Sequence, residues 1–86
     1  MKKLEIGAVY RHYKGNNYEV VGLALHSETL EELVAYRALY NHNKYGKNSL
    51  WVRPKKMFLE NVTVGGKKVE RFKKIKQKIL IKPSKK

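Results

Sequence analysis

The chain has 86 residues, no cysteine, and 20 Lys and Arg against 7 acidic residues, which gives a formal net charge of +13. This length permits one domain with a thin core, because a chain of this size buries roughly 60% of the surface that its unfolded form exposes. The absence of cysteine excludes disulfides and thiolate metal sites, and it favours a reducing, cytoplasmic location.

The N-terminus and the charge distribution indicate the class of partner. Residues 1–7 carry charge with no apolar stretch behind them, so we expect neither a signal peptide nor a membrane span, and a soluble protein. Residues 1–66 hold ten Lys and Arg against six Glu (+4), whereas residues 67–86 hold ten against Glu70 alone (+9). Such asymmetry indicates a polyanionic partner, and the alternative is a tail that only improves solubility.

The first half of the chain predicts a hairpin. Lys-Gly-Asn-Asn at residues 14–17 separates extended runs over residues 8–13 and 18–26, and Asn and Gly tolerate the positive φ of tight turns. Both faces of the run 18–26 are apolar, so we expect this strand to be covered on both sides. Gly22 suits a sharp bend within it.

Residues 28–40 fit two structures. Residues 27–31 resemble a capping box with Ser27 as the cap, and Leu30, Leu33 and Val34 follow at helical spacing. The two tyrosines and the valine of residues 33–40, between flanking strands, fit a strand instead, although the pattern alone favours a helix. Residues 41–49 are predicted to form a polar loop, and residues 50–53 a short strand that Pro54 ends.

A second hairpin is predicted around Gly65-Gly66, between residues 58–64 and 67–72. Residues 69–82 fit both an amphipathic helix and a strand with one apolar and one cationic face. Periodicity therefore leaves this segment open between the two.

Seven short motifs occur in order within residues 6–73. They are His12-Tyr13-Lys14-Gly15, Tyr18-Glu19-Val20, His26-Ser27-Glu28-Thr29-Leu30-Glu31, Val34-x-Tyr36-Arg37-Ala38-Leu39-Tyr40, Trp51-Val52-Arg53-Pro54, Met57-Phe58-x-Glu60 and Arg71-Phe72. Together they resemble a small bacterial family, domain of unknown function 1653. The chain departs from that family's pattern in a longer loop over residues 41–48 and in the basic extension after Phe72.

The resemblance implies a mostly β fold. We expect a small SH3-like barrel of about five to six antiparallel strands over residues 1–73, with residues 33–40 as a strand, followed by a basic tail over residues 74–86. The resemblance implies no activity.

Nothing in the sequence assembles a catalytic centre or a metal site. His26, Ser27 and Glu28 are adjacent, but neighbouring side chains of a strand point to opposite faces, and a turn-capping role for Ser27 or Glu28 is far more common. The three histidines lack the spacing of a zinc site, and no phosphate-binding glycine loop is present. We therefore expect a non-enzymatic protein without a cofactor or a metal.

Two sets of residues are candidates for binding. The first set contains aromatic and hydrogen-bonding side chains of the family motifs that could converge into a ligand groove: His12, Tyr13, Lys14, His26, Glu28, Thr29, Tyr36, Arg37, Tyr40, Trp51 and Arg53. The alternative is that the aromatic members fill the core and Arg53 pairs with Glu60 or Glu28. The second set contains the cations of the C-terminal quarter that could contact phosphates: Lys67, Lys68, Arg71, Lys73, Lys74, Lys76, Lys78 and Lys82.

Three kinds of partner follow from these sets. The leading hypothesis is a module that binds RNA, DNA or the ribosome through the cationic set. The second is a domain that recognises a small molecule or peptide in the ligand groove. A membrane surface contacted by an amphipathic helix is disfavoured, because the family resemblance places Phe72 in the barrel. The oligomeric state stays open.

Overall fold

The computed structural model describes residues 4–77. In chain order its strands are β1 (Val9–His12), β2 (Asn17–Leu25), β3 (Glu32–Ala38), β4 (Asn41–His42), β5 (Gly46–Lys47), β6 (Leu50–Pro54), β7 (Asn61–Val64), β8 (Lys67–Glu70) and β9 (Phe72–Lys76). One helical turn, α1 (Lys55–Phe58), lies between β6 and β7. Within residues 4–77 no helix is long and apolar enough to cross a membrane.

Five strands form the main sheet, in the order β6-β3-β2-β1-β9, and every pairing is antiparallel. The hairpins β4–β5 and β7–β8 form two smaller sheets. The mostly β, antiparallel fold is thus confirmed. The edge strands β6 and β9 do not pair with each other in the described part of the chain, so the closed barrel stays a prediction. The main sheet continues past residue 73, since β9 ends at Lys76.

Both predicted hairpins are present. The first joins β1 to β2 through residues 13–16, where the Gly15 N–H donates to the His12 carbonyl at 2.7 Å. The second joins β7 to β8 through Gly65 and Gly66, whose φ angles of 57° and 81° are both positive. Two consecutive positive φ values define the turn that best matches the twist of paired strands.

The helix that the pattern favoured over residues 28–40 is wrong. Residues 26–31 form a turn, in which His26 Nδ1 accepts the backbone N–H groups of Glu28 and Thr29. Residues 32–38 form β3, which pairs with β2 on one side and β6 on the other. Its burial alternates with period two, because Val34, Tyr36 and Ala38 face the core. Pairing on both edges outweighs the helical spacing of three leucine and valine side chains.

Two further expectations are corrected, and one open alternative is decided. Strand β2 is not covered on both sides: Val20 is buried, whereas Val21, Leu23 and Leu25 are exposed. A register shift between Val20 and Gly22 marks a bulge at the place where a bend was expected. Residues 41–49 contain the short hairpin β4–β5 rather than loop alone. The amphipathic helix is not formed over residues 72–76, which are strand β9.

The core is thin and aromatic. Its buried members are Ala8, Tyr10, Val20, Val34, Tyr36, Phe58 and Phe72. Phe58, delivered by α1, stacks on Phe72 with ring centroids 4.0 Å apart and an interplanar angle of 6°. Tyr10 and Tyr36 pack against the same Phe58 ring, each with centroids 5.4 Å away. Phe72 is therefore a core residue that also borders the candidate functional site.

Candidate functional site

An open groove of about 540 Å³ runs between the β1–β9 edge of the main sheet and the β7–β8 hairpin. Three cations line it, and we name this surface the basic groove: Arg11 from β1, Lys73 from β9 and Lys68 from β8. His12, Tyr13, Val64, Val69, Glu70 and Ile75 complete its walls. The basic groove thus combines positive charge with two rings, of His12 and Tyr13, and three aliphatic side chains.

Strand pairing explains why these cations meet. Arg11 and Lys73 are direct partners in the β1–β9 register, so their side chains leave the same face of the sheet. The Tyr13 N–H donates to the Arg71 carbonyl at 2.9 Å, and the Arg71 N–H donates to the Glu60 carbonyl at 3.0 Å. These two bonds fix the β7–β8 hairpin beside the sheet edge and bring Lys68 to the groove.

Ion pairing separates the predicted phosphate-binding cations into two groups. Lys74 pairs with Glu5 at 2.8 Å, and the hydrogen bond that Lys74 donates to this carboxylate raises the pKa of Lys74. Arg71 pairs with Glu60 at 3.4 Å. Within residues 4–77, Lys67, Lys68, Lys73 and Lys76 make no ion pair and are exposed. These four lysines are therefore available to an external anion.

Of this predicted set, Lys68 and Lys73 line the basic groove, and three points concern the other cations. Lys78 and Lys82 lie outside the described residues. Arg71 and Lys74 are held by carboxylates and are less available than their neighbours. Arg11 belongs to the groove but was missed by sequence reasoning, because it lies far along the chain from the basic C-terminal quarter. The alternation of β1 could have found it, since that alternation puts Arg11 on the same face as Tyr13.

Three residues of the predicted ligand groove pack around Phe72, and two more contact His12, which is one of the three. The rings of His12 and Tyr36 lie 4.9 Å and 5.4 Å from the Phe72 ring, between centroids. The Arg53 guanidinium carbon lies 5.5 Å from the same centroid. Tyr13 packs on His12 with centroids 4.6 Å apart, and the Lys14 N–H donates to His12 Nδ1 at 3.2 Å.

Four other residues of that set lie away from Phe72, whereas Trp51 lies beside this cluster as the direct partner of Tyr36 in the β3–β6 register. His26, Glu28 and Thr29 form the turn after β2, which is nine residues long, so they lie roughly 25 Å along the strand from the His12 end. Arg37 bonds Glu19 at 2.8 Å on the sheet face opposite Tyr36. Trp51 donates to Ser49 Oγ and packs against His42 and Tyr45. The eleven residues therefore do not form one groove.

The core-filling alternative also holds only in part. Tyr36 is buried, at 4% exposure, and Tyr40 shares a 2.8 Å hydroxyl–hydroxyl hydrogen bond with Tyr18. Arg53 pairs with neither Glu60 nor Glu28, and instead its Nε donates to the Tyr36 hydroxyl at 3.2 Å. Arg53 thus keeps its terminal amino groups free of any ion pair with the described residues.

Two pKa shifts describe the electrostatics of this cluster. Burial lowers the pKa of His12 below its usual 6.5, and the positive charges of Arg53, Arg71 and Lys14 lower it further. Burial and the hydrogen bond with Tyr40 raise the pKa of Tyr18. At neutral pH His12 is therefore uncharged and Tyr18 is protonated. Across residues 4–77 no three His, Cys, Asp or Glu side chains form a group that could hold a metal ion.

Fold and surface together define a small, mostly β domain with a cationic groove beside an aromatic cluster. The chain belongs to the family described as "Protein of unknown function (DUF1653)", whose family model matches residues 8–74. It is similar to the crystal structure of a protein of this family from Bordetella bronchiseptica, with a TM-score of 0.72 and 33% sequence identity over 91% of this chain and 92% of that chain. No curated protein matches the chain. The family membership that the motifs indicated is confirmed.

Proposed function

We propose that this protein is a non-enzymatic module that binds nucleic acid, with the phosphate backbone lying in the basic groove. The observation that carries the proposal is the convergence of Arg11, Lys68 and Lys73 on one groove without an ion pair to the described residues. Cations that are already neutralised gain little from a phosphate, whereas unpaired cations release counterions when they bind one. Glu70 also lines the groove and reduces, without cancelling, its positive charge.

The distribution of acidic residues also favours the binding of a polyanion at the basic groove. Glu28, Glu31 and Glu32 lie in or beside the turn that joins β2 to β3, and Lys55 pairs with Glu32 there at 3.5 Å. This turn lies at the end of β2 remote from Arg11, which pairs with Asn17 at the start of the strand. A polyanion is therefore attracted more strongly to the groove end of the sheet than to the other.

The walls of the basic groove suit a flexible strand. Tyr13 is 39% exposed, so its ring can stack on an unpaired base, a contact that tolerates any sequence. The aliphatic side chains of Val64, Val69 and Ile75 offer apolar surface to sugars and bases. Phosphate contacts give affinity with little sequence preference, so the proposal covers RNA, including ribosomal RNA, as well as DNA.

Fluorescence anisotropy with labelled single-stranded RNA, single-stranded DNA and duplex DNA tests the proposal. The decisive variant combines Arg11→Gln, Lys68→Gln and Lys73→Gln. Its matched control combines Lys44→Gln, Lys47→Gln and Lys56→Gln, which removes the same charge from exposed residues that do not line the groove. We expect the groove variant to bind at least about tenfold more weakly than the control, because three phosphate contacts are lost.

A truncation separates the groove from the C-terminal segment. The chain should end after Gln77, because β9 extends to Lys76 and a shorter form would remove a paired strand. Binding that survives truncation but not the groove variant places the site on the sheet. If the groove variant and its control bind equally well, or if the full chain binds none of the three nucleic acids near physiological salt, the proposal is wrong.

A further inference from the structure

Arg53 is a preorganised cation that has no anionic partner among the described residues. Its guanidinium lies over the Phe72 ring, and its Nε is tied to the Tyr36 hydroxyl. These two contacts fix the plane of the guanidinium, while the terminal amino groups form no ion pair with residues 4–77. A guanidinium held in this way presents a planar fork of donors that matches the oxygens of a phosphate or carboxylate.

Arg71 adds a second guanidinium, which is incompletely satisfied. It precedes Phe72 in the chain, and its side chain is 19% exposed. Among residues 4–77 its single carboxylate contact, to Glu60, is long at 3.4 Å, and its buried Nε has no hydrogen-bond partner there. The Glu60 side chain is 54% exposed, so exchanging it for another anion costs little.

His12 contributes a third donor. Its Nδ1 accepts the Lys14 N–H, so the proton of the neutral ring lies on Nε2, which is then a donor. The ring packs on the same Phe72 side chain that Arg53 covers. Arg53, Arg71 and Lys14 all act on the imidazole as positive neighbours, and together with burial they lower its pKa.

We propose that Arg53, Arg71 and His12 form a discrete site for one phosphate-type oxyanion beside Phe72. All three groups are donors, two carry fixed positive charge, and one tetrahedral anion would satisfy them together. His12 also lines the basic groove, so the site lies at one side of that groove. The inference does not rest on nucleic-acid binding, because free phosphate and a phosphate group of a larger ligand present the same chemistry.

NMR titration of the imidazole signals tests the site. The pH titration is run in inorganic phosphate and in chloride at matched ionic strength. A bound oxyanion favours the imidazolium, so we expect phosphate to raise the pKa of His12 by roughly one unit. His26 and His42 accept backbone N–H groups through Nδ1 in the same way. They serve as internal controls for the general screening of charges by dissolved ions.

Two variants localise the response. Arg53→Gln should abolish the phosphate-induced shift of His12, whereas Arg37→Gln, on the opposite face of the sheet, should leave it intact. Arg53→Lys keeps the charge but loses the planar fork, so it should bind phosphate several-fold more weakly. The proposal is overturned if His12 titrates identically in phosphate and chloride, or if all three histidines shift equally.

Oligonucleotides distinguish the sources of the anion. An oligothymidylate with a 5′-phosphate and the same chain with a 5′-hydroxyl are added in separate titrations. A shift of His12 with the 5′-phosphate alone assigns the site to terminal phosphates, and equal shifts assign it to internucleotide phosphates. Either result supports the site. A response to inorganic phosphate without any oligonucleotide binding would retain the site and reject the proposed function.

Discussion

Each of the three histidines holds a turn through Nδ1. His12 accepts the N–H of Lys14, His26 accepts those of Glu28 and Thr29, and His42 accepts those of Lys44 and Tyr45. The sequence suggested His12 and His26 as ligand-groove residues of one site. It could not show this shared role, because residue type and spacing do not reveal which ring nitrogen a backbone N–H will reach.

The lowered pKa of His12 predicts a pH dependence of stability. As the pH falls below about 6.5, the usual His value, the unfolded chain takes up a proton that folded His12 accepts only at lower pH. The free energy of unfolding should therefore fall as the pH drops from 6.5 to the lowered pKa of His12. Above pH 6.5, the protonation of His12 should not affect it. Urea denaturation across this range should show a steeper loss for the wild type than for His12→Asn, whose amide oxygen can still accept the Lys14 N–H. Equal slopes would contradict the environment described for His12.

The stacked pair Phe58 and Phe72 makes the core sensitive to truncation. Phe58 has no exposed surface, so Phe58→Ala leaves a cavity beside the stacked ring and should lower the free energy of unfolding by about 3–5 kcal/mol. Val52→Ala, at a side chain that is 61% exposed, should change it by less than about 0.5 kcal/mol. Chemical denaturation measures both, and a loss for Phe58→Ala as small as that of the control would mean that the two rings do not form the core.

Strand and turn elements were predictable where a local signal was strong. Turn residues marked both hairpins, and the family resemblance correctly predicted a strand within residues 33–40, although β3 ends at Ala38. Periodicity failed over residues 28–40 because Leu30, Leu33 and Val34 satisfy helical spacing, while the long-range pairing of β3 decides the structure. Periodicity also failed to show that Leu23 and Leu25 of β2 are exposed. The sequence does not reveal which element, if any, packs against an apolar strand face.

The turn at Gly65 and Gly66 fixes the hairpin that carries Lys68 into the basic groove. Gly66 has φ of 81°, a region that costs an L-residue about 1–2 kcal/mol, so Gly66→Ala should destabilise the protein by that amount. Gly22→Ala is the matched control, because Gly22 lacks the positive φ of Gly66 and, at both glycines, no atom of the described residues lies within 4 Å of the added carbon. It should be neutral or slightly stabilising. Thermal unfolding of both variants measures this difference. Equal melting temperatures would contradict the cost assigned to the positive φ of Gly66.

The whole molecule is polarised in charge. The Lys-rich strands β8 and β9 flank one end of the sheet, and Glu28, Glu31 and Glu32 lie in or beside the turn at the other end. Composition predicted the cationic half of this arrangement. The basic groove itself could not be predicted from the sequence. It depends on the β1–β9 register, which sets Arg11 opposite Lys73, and on the β7–β8 hairpin, which adds Lys68.

The salt dependence of binding shows most directly whether phosphates bind in the basic groove. If the protein neutralises about five phosphates of duplex DNA, the logarithm of the binding constant should fall with the logarithm of salt concentration with a slope near −4.5. Removing Arg11, Lys68 and Lys73 together should make the slope shallower by about 2.7, because each lost phosphate contact removes about 0.9. The control variant at Lys44, Lys47 and Lys56 should keep the wild-type slope. A groove variant whose slope equals that of the wild type would show that phosphates do not bind in the basic groove.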